Sequence, residues 1–358
     1  MIHSSLTPRL FISILILLLT TTACGGGGTA KRTNSGDPTA AVAHMQELSG
    51  ESQTISRAML EHIQASAHSK NPTLIENKRR TLIASVERAI LSVNQVNAFN
   101  GDSDLKEATL TFLNTMYSVL REDYARLVDM EEVAEQSYDL MEAYLLARAK
   151  ANEKLQEAAE DLRAEETRFA ADNNVRLIEN DDPVSKNLAK ATKVLDYRTK
   201  IFLIHFKSYK QEFYLLEALN RRDVSGIEQN RETLEEYASE GLSQLSQIGA
   251  YAGDSSLLQS ARDMLTFYRN EAAREVPVLT DFLLRQDQFE SIKKAFEAKP
   301  PAQRTRADVD NFNAQVNQVN AAGTKSNATN ERLNRERVAQ INRWNQVNER
   351  FLSRHIPK

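Results

Sequence analysis

Cysteine is nearly missing from this chain. Cys24 is the only one in 358 residues, so no intrachain disulfide can staple the fold. Proline and glycine are also scarce, at 8 and 12, and no alternating apolar run carries the hairpin punctuation that marks strands. Ala, Leu, Glu, Gln, Lys and Arg dominate, residues that lose little side-chain freedom in a helix. The fold class expected is therefore all-α. Excess charge of one sign is lacking too. The net charge is −4, and removing a leader that contains only Arg9 lowers it to −5, too mild a value to draw nucleic acid.

Chemical signatures are equally absent. His44, His62, His68, His205 and His355 show neither HExxH nor paired spacing with carboxylates, and surface or interface positions are expected for them. There is no GxGxxG, Walker or GxSxG loop and no EF-hand. A di-metal site in a helical bundle needs ExxH motifs on two helices, which Glu61-His62 and Leu203-Ile204-His205 do not supply. No catalytic residue, metal ligand or cofactor site is expected, and the chain reads as a non-enzyme.

What is present is a repeat. Residues 75–105 and 227–257 align without a gap at an offset of 152, with eleven identities that include Ile75/Ile227, Arg79/Arg231, Leu82/Leu234 and Gly101/Gly253. Chance would give roughly two, at about one match in fifteen. The expected architecture is a tandem duplication of an antiparallel, roughly four-helix bundle unit with long helices. The first unit covers 41–178; the second covers 184–358, with an insertion around 299–325. Within the repeat, Gly101-Asp102-Ser103 and Gly253-Asp254-Ser255 form a structural corner. The glycines suit the left-handed position past a helix end. Asp104 with Glu107, and Ser256 with Gln259, read as capping boxes that restart the chain.

The amino terminus carries an address. Arg9 precedes Leu10–Leu19, an apolar run of signal-peptide length and too short to span a bilayer. Thr20–Ala23 are small, and Cys24 and four glycines follow. Residues 1–23 resemble a bacterial lipoprotein signal peptide, with Cys24 as the lipidated residue. Thr21 stands where such signals usually carry leucine. Residues 24–40 then form a flexible tether with a reach of about 20–25 Å.

Helices are expected over about 41–67 (interrupted near Gly50), 73–98, 104–128, 131–173, 184–220, 225–250, 256–284 and 327–354. A bend or break is expected at Pro277, and breaks at Lys299–Thr305 and at Ala322–Asn327. Asn173 or Asn174 suits the left-handed cap after the fourth helix. Leu195, Phe202, Phe206, Tyr209, Phe213 and Leu216 lie on one stripe of the most apolar helix and should face a core. Residues 129–182 hold 16 acidic against 6 basic residues, whereas 301–358 hold 5 against 10. Two opposed or solvated faces both follow from that asymmetry.

With Cys24, the tandem helical units and the Phe169, Asn173, Asn174 and Arg176 stretch in view, the mature chain resembles the duplicated helical bacterial surface lipoproteins of the ErpY-like family. That resemblance implies an outer-membrane, surface-displayed lipoprotein that binds a host or envelope protein, held on the membrane through Cys24. The alternative is a periplasm-facing helical lipoprotein that binds a small ligand near Tyr197, His205 and Tyr209 or supports envelope maintenance. No nucleic-acid partner is expected, and the oligomeric state is left open by the sequence.

Overall fold

The computed structural model describes residues 21–24, 37–123, 127, 130, 133–134, 136–179 and 182–358, and these are almost wholly helical. The all-α class follows. Most of the leader and of the tether, residues 1–20 and 25–36, lies outside the described residues. Two compact units form. The amino-terminal unit comprises the described residues up to Tyr197 together with Glu349–Lys358, and the carboxy-terminal unit comprises Arg198–Asn348.

In the amino-terminal unit, Asp37 caps α1 (Pro38–Leu48), accepting the Thr39 N–H at 2.9 Å. Pro38 sits in the first turn, where a missing N–H costs nothing. The chain breaks around Gly50 as expected before α2 (Ser52–His68). Asn71 then caps α3 (Pro72–Gln95), again with proline in the first turn. After the corner, α4 (Asp104–Ser118) widens into a π-helical turn, Val119–Asp123. α5 (Tyr138–Asp172) starts at Ser137, whose hydroxyl accepts the Leu140 N–H. Its 35 residues span about 52 Å at 1.5 Å per residue, shorter than the helix expected from Glu131. Asn174 takes the left-handed conformation, with φ 53°.

The link after α5 holds a feature that sequence reading missed. β1 (Thr21–Cys24) pairs antiparallel with β2 (Arg176–Glu179), Cys24 opposite Arg176 and Thr21 opposite Glu179. The core of this unit joins Ile55, Met59 and Ile63 of α2, Leu82 and Val86 of α3, Phe112 and Met116 of α4 and Tyr144 and Phe169 of α5. The last residues of the chain close onto the same unit. Phe351 stacks on Tyr197 at 5.7 Å, and Gln64 Nε2 donates to the Pro357 carbonyl at 3.2 Å.

The two corners share one geometry. Phe99 and Asp102 exchange backbone hydrogen bonds at 2.9 Å, and Tyr251 and Asp254 do the same at 3.2 and 2.8 Å. Both inner residues of each turn have positive φ: Asn100 52° and Gly101 87°, Ala252 47° and Gly253 81°. This is the type I′ turn, which demands left-handed backbone twice. The expected capping boxes are not used. Asp104 and Ser256 are already the first helical residues, and their N–H groups donate to Asp102 and Asp254 Oδ1, at 2.9 Å each. Ser103 Oγ instead donates to Glu107 at 2.8 Å.

Alanine is a poor residue for φ 47°. An L side chain in that region costs roughly 1–2 kcal/mol. Ala252→Gly, or Ala252→Asn to match Asn100, is expected to raise the unfolding free energy by about 1 kcal/mol. A urea titration followed by circular dichroism measures it, and an unchanged or lower midpoint contradicts it.

The carboxy-terminal unit contains a similar succession, a helix, the corner and a helix that widens into a π-turn. α6 (Pro183–Arg221) crosses into it, Asp223 caps α7 (Val224–Ser246), and α8 (Ser256–Asn270) widens into a second π-turn, Glu271–Glu275. α4 and its π-turn recur, residue for residue and in the register of the repeat, as α8 and its π-turn. α9 (Val276–Ala298) starts immediately afterwards, with Pro277 in its first turn. The proline does not cause the π-turn, because the corresponding position in the other unit is Ala125. The expected break near Lys299 is present as a short 3₁₀ turn, Pro301–Gln303, before α10 (Arg306–His355). Thr305 and Asp308 exchange caps at that restart.

The break expected at Ala322–Asn327 does not occur. α10 runs through it, and Gly323 is a contact residue instead of a stop. A Cβ there would lie 3.1 Å from Phe282 Cε2. The burial pattern of α5 also recurs in α10, in one constant register. Ala151 and Ser326, Ala158 and Leu333, Phe169 and Trp344, and Asn173 and Asn348 are buried pairs. These pairs stand further apart in the chain than the two copies of the repeat do, so the extra length of the second half precedes Asn313, the partner of Tyr138 in this register. That length extends the α9–α10 hairpin, where Phe312 stacks on Phe296 at 4.5 Å and meets Phe289 at 5.6 Å.

Candidate functional site

The most unusual side chains of the molecule line one seam of the carboxy-terminal unit. On α6, Arg198, His205 and Glu212 stand seven residues apart, which places them on one face. Each is at most 2 % exposed. Residues of α10 meet them in antiparallel order. Arg198 Nε donates to Asn348 Oδ1 at 2.7 Å. The His205 ring lies 4.0 Å from the Trp344 ring. Arg337 Nε donates to Glu212 Oε1 at 2.5 Å. From the second π-turn, Glu271 adds a further carboxylate, and Arg337 Nη2 donates to it at 2.5 Å. Tyr268, also buried, sits one turn before Glu271 on α8.

Two buried carboxylates on one guanidinium leave a charge imbalance unless a proton is shared. Burial, then the charge of Glu212, pushes Glu271 well above the usual carboxylate range, while Arg337 pulls the other way. Glu271 Oε2 has no hydrogen-bond partner as an acceptor. Protonated, it becomes a donor toward Glu212, and the cluster is neutral overall. Burial, reinforced by the charge of Glu212, also raises Tyr268.

The amino-terminal unit is an internal control. At the positions matched by the repeat, Glu212, Tyr268 and Glu271 are replaced by Leu60, Met116 and Val119, all buried. In the register that pairs α10 with α5, Arg337 is replaced by Leu162. The matching positions of the amino-terminal unit therefore hold an apolar set. A buried ion cluster contributes little net stability over such a set, because desolvation offsets the attraction. The π-turn is common to both units, so it is not a device for placing Glu271. In the amino-terminal unit its Leu120 carbonyl accepts a hydrogen bond from Arg79 Nη1 at 2.9 Å.

The histidines correct the sequence reading. His44, His62, His205 and His355 are buried, not surface groups. His44 sits between Phe99 and Phe169, with ring centroids at 5.3 and 5.6 Å. Burial pulls His62 down to about 4 and His205 to about 3, against smaller opposing backbone hydrogen bonds from Ile75 and Ile201. His205 Nδ1 donates to the Ile201 carbonyl at 3.1 Å, which leaves Nε2 a lone pair. That Nε2 and Trp344 Nε1 are both buried without a hydrogen-bond partner, one an acceptor and one a donor on adjacent rings. His205 is thus a core position of its bundle, not a surface one. Phe213, expected in the apolar stripe, is 41 % exposed, with Lys210 Nζ 4.9 Å from its ring.

Of the residues singled out from sequence, Cys24 lies at the end of β1. The corner residues have structural roles. Asp102 caps Asp104 through Oδ1 and accepts Arg168 Nη2 through Oδ2 at 3.1 Å. Its carboxyl is held low, by the Asp104 N–H first and then by Arg168. Asp254 caps Ser256. Gly101, Gly253, Ser103 and Ser255 complete the turns and helix starts. The acidic stretch 129–182 and most of the basic stretch 301–358 fall in different units. The Arg198–His205–Glu212 seam went unread in the sequence; its signal was three polar residues at a strict spacing of seven inside the most apolar helix.

Among the described residues, no group of three or more His, Cys, Asp or Glu is placed to hold a metal, and no helix is long and apolar enough to cross a membrane. Compared with known proteins, the chain matches no family model, no curated protein and no solved structure.

Proposed function

We propose that this chain is a lipid-anchored, non-enzymatic module of the bacterial cell envelope, a duplicated pair of helical bundles that acts by binding or by building structure. The observation that carries the reading is the amino-terminal address: Arg9, the apolar run Leu10–Leu19, small residues, and the only cysteine of the chain followed by a glycine-rich tether. Acyl chains on Cys24 hold the module at the membrane, each buried CH₂ contributing about 0.8 kcal/mol. The resemblance to ErpY-like surface lipoproteins supports surface display on the outer membrane and a host or envelope protein as partner.

The repeated succession of α3, the corner, α4 and the π-turn supports the duplication. The polar seam of the second bundle joins helices of its own core. Cleavage before Cys24 would remove Thr21–Ala23 and with them three of the four residue pairs between β1 and β2.

Cys24→Ser tests the anchor. The parent protein is expected in the membrane fraction and the variant, left unlipidated, in the soluble fraction or retained as precursor. Equal membrane association and identical processing of the two would overturn the reading. Protease added to intact cells tests display: a chain left uncut on cells but cut after lysis faces inward.

A further inference from the structure

We propose that the core of the carboxy-terminal unit binds ordered water beside His205, where one molecule accepts from the Trp344 indole and donates to the imidazole. Four buried polar atoms carry the inference. His205 Nε2, Trp344 Nε1, Ser208 Oγ and Ser260 Oγ have no hydrogen-bond partner among the described residues, and their residues are at most 3 % exposed. Buried polar atoms are paired as a rule, and ordered water supplies the partner where protein does not.

These atoms share one stretch of the seam. Ser208 lies on the stripe of α6 that holds His205 and Glu212, one turn from each. Arg343, beside Trp344, pairs with Asp263 of α8 at 3.1 Å, which sets Ser260 within about one turn of the indole. Ser260 also falls on the face of α8 that carries Phe267 and continues to Glu271, the face that Arg337 of α10 meets. Of the four residues only Ser208 recurs in the amino-terminal unit, as Ser56. Gln53, Phe169 and Ala108 stand at the positions matched to His205, Trp344 and Ser260, so the polar set belongs to the second bundle.

The two rings do not satisfy each other. A direct N–H···N bond lies in both ring planes, whereas these rings meet with centroids 4.0 Å apart and a tilt of 59°, too close for that arrangement. The chemistry then selects the guest. His205 Nδ1 donates to the Ile201 carbonyl at 3.1 Å, so Nε2 can only accept, and the indole N–H can only donate. The guest therefore donates and accepts at once. Water does both, and it suits the two serine hydroxyls, which also do both. An anion has no proton for Nε2. A cation meets the indole N–H and the charge of Arg198, which already acts on the same imidazole.

The test is nuclear magnetic resonance on the full chain in non-ionic detergent, with isotope-labelled tryptophan. Trp344 is the only tryptophan, so its indole N–H gives one signal. A cross-relaxation peak between that proton and water, with the sign of a long-lived complex, is expected, while the indole N–H itself exchanges slowly with deuterium. His205→Phe keeps a ring and removes the acceptor. It is expected to lose most of the water peak and to shift the indole emission to shorter wavelength. A crystal structure of the chain is expected to show a water oxygen within hydrogen-bond distance of both Trp344 Nε1 and His205 Nε2. No water peak in the parent, a peak unchanged in His205→Phe, or a serine hydroxyl bonded directly to Trp344 Nε1 would overturn the proposal.

Discussion

Replacing Arg337 with leucine is expected to destabilise the carboxy-terminal unit by about 3–5 kcal/mol, the cost of stranding buried carboxylates without their counter-ion. Glu212 and Glu271 are 2 % and 1 % exposed, so water cannot replace the guanidinium. The chain itself supplies the rescue, in the residues standing at the matching positions of the other unit. The triple variant Glu212→Leu, Glu271→Val, Arg337→Leu is expected to recover the loss, and to exceed the parent if the volumes repack. Glu271→Gln is expected to stay within about 1 kcal/mol of the parent, because glutamine is neutral and keeps a donor where the shared proton sits. Trp344 is the only tryptophan and is fully buried in this unit, so its fluorescence during urea unfolding reports on the cluster. A triple variant no more stable than Arg337→Leu would show that the polar set is required by the fold.

Acidification is expected to destabilise the fold before carboxylates titrate in bulk, through the buried histidines. His62 and His205 are pulled down to about 4 and about 3 from 6.5. The unfolded chain therefore takes up protons below pH 6.5 that the folded chain refuses. Stability is fully present above 6.5 and falls by about 1.4 kcal/mol per pH unit for each histidine as the pH drops toward its folded value. Glu271 works in the opposite sense: its raised value favours the folded state as pH falls toward 4.5. It partly masks His205, whereas His62 lies in the other unit. Difference measurements remove the masking. The stability gap between the parent and His205→Leu, or between the parent and His62→Leu, is expected to shrink by about 1.4 kcal/mol per pH unit between pH 6.5 and 4.5. A gap that is constant with pH would show that these rings are protonated in the fold.

Much of the fold was legible because helices and their stops are local. Proline at the first turn of α1 and α3, Gly101 and Gly253 at the corners and Asn174 after α5 each act within a few residues. The break missing at Gly323 was not legible, since it depends on the Phe282 ring from another helix. The π-turns were equally hidden, as they sit in ordinary helical sequence and recur with and without a following proline. The polar seam went unread for a different reason. An arginine, a histidine and a glutamate on one helix look like surface groups until Asn348, Trp344 and Arg337 of a helix far along the chain are brought against them.

The most direct test of the anchored-module account is the intact mass of the protein extracted from its own membranes, with sequencing of the amino-terminal peptide. A chain that begins at Cys24 and carries covalently bound acyl chains is the predicted result. A chain that begins at Met1, or at any residue other than Cys24, or an unmodified Cys24 thiol, would contradict it.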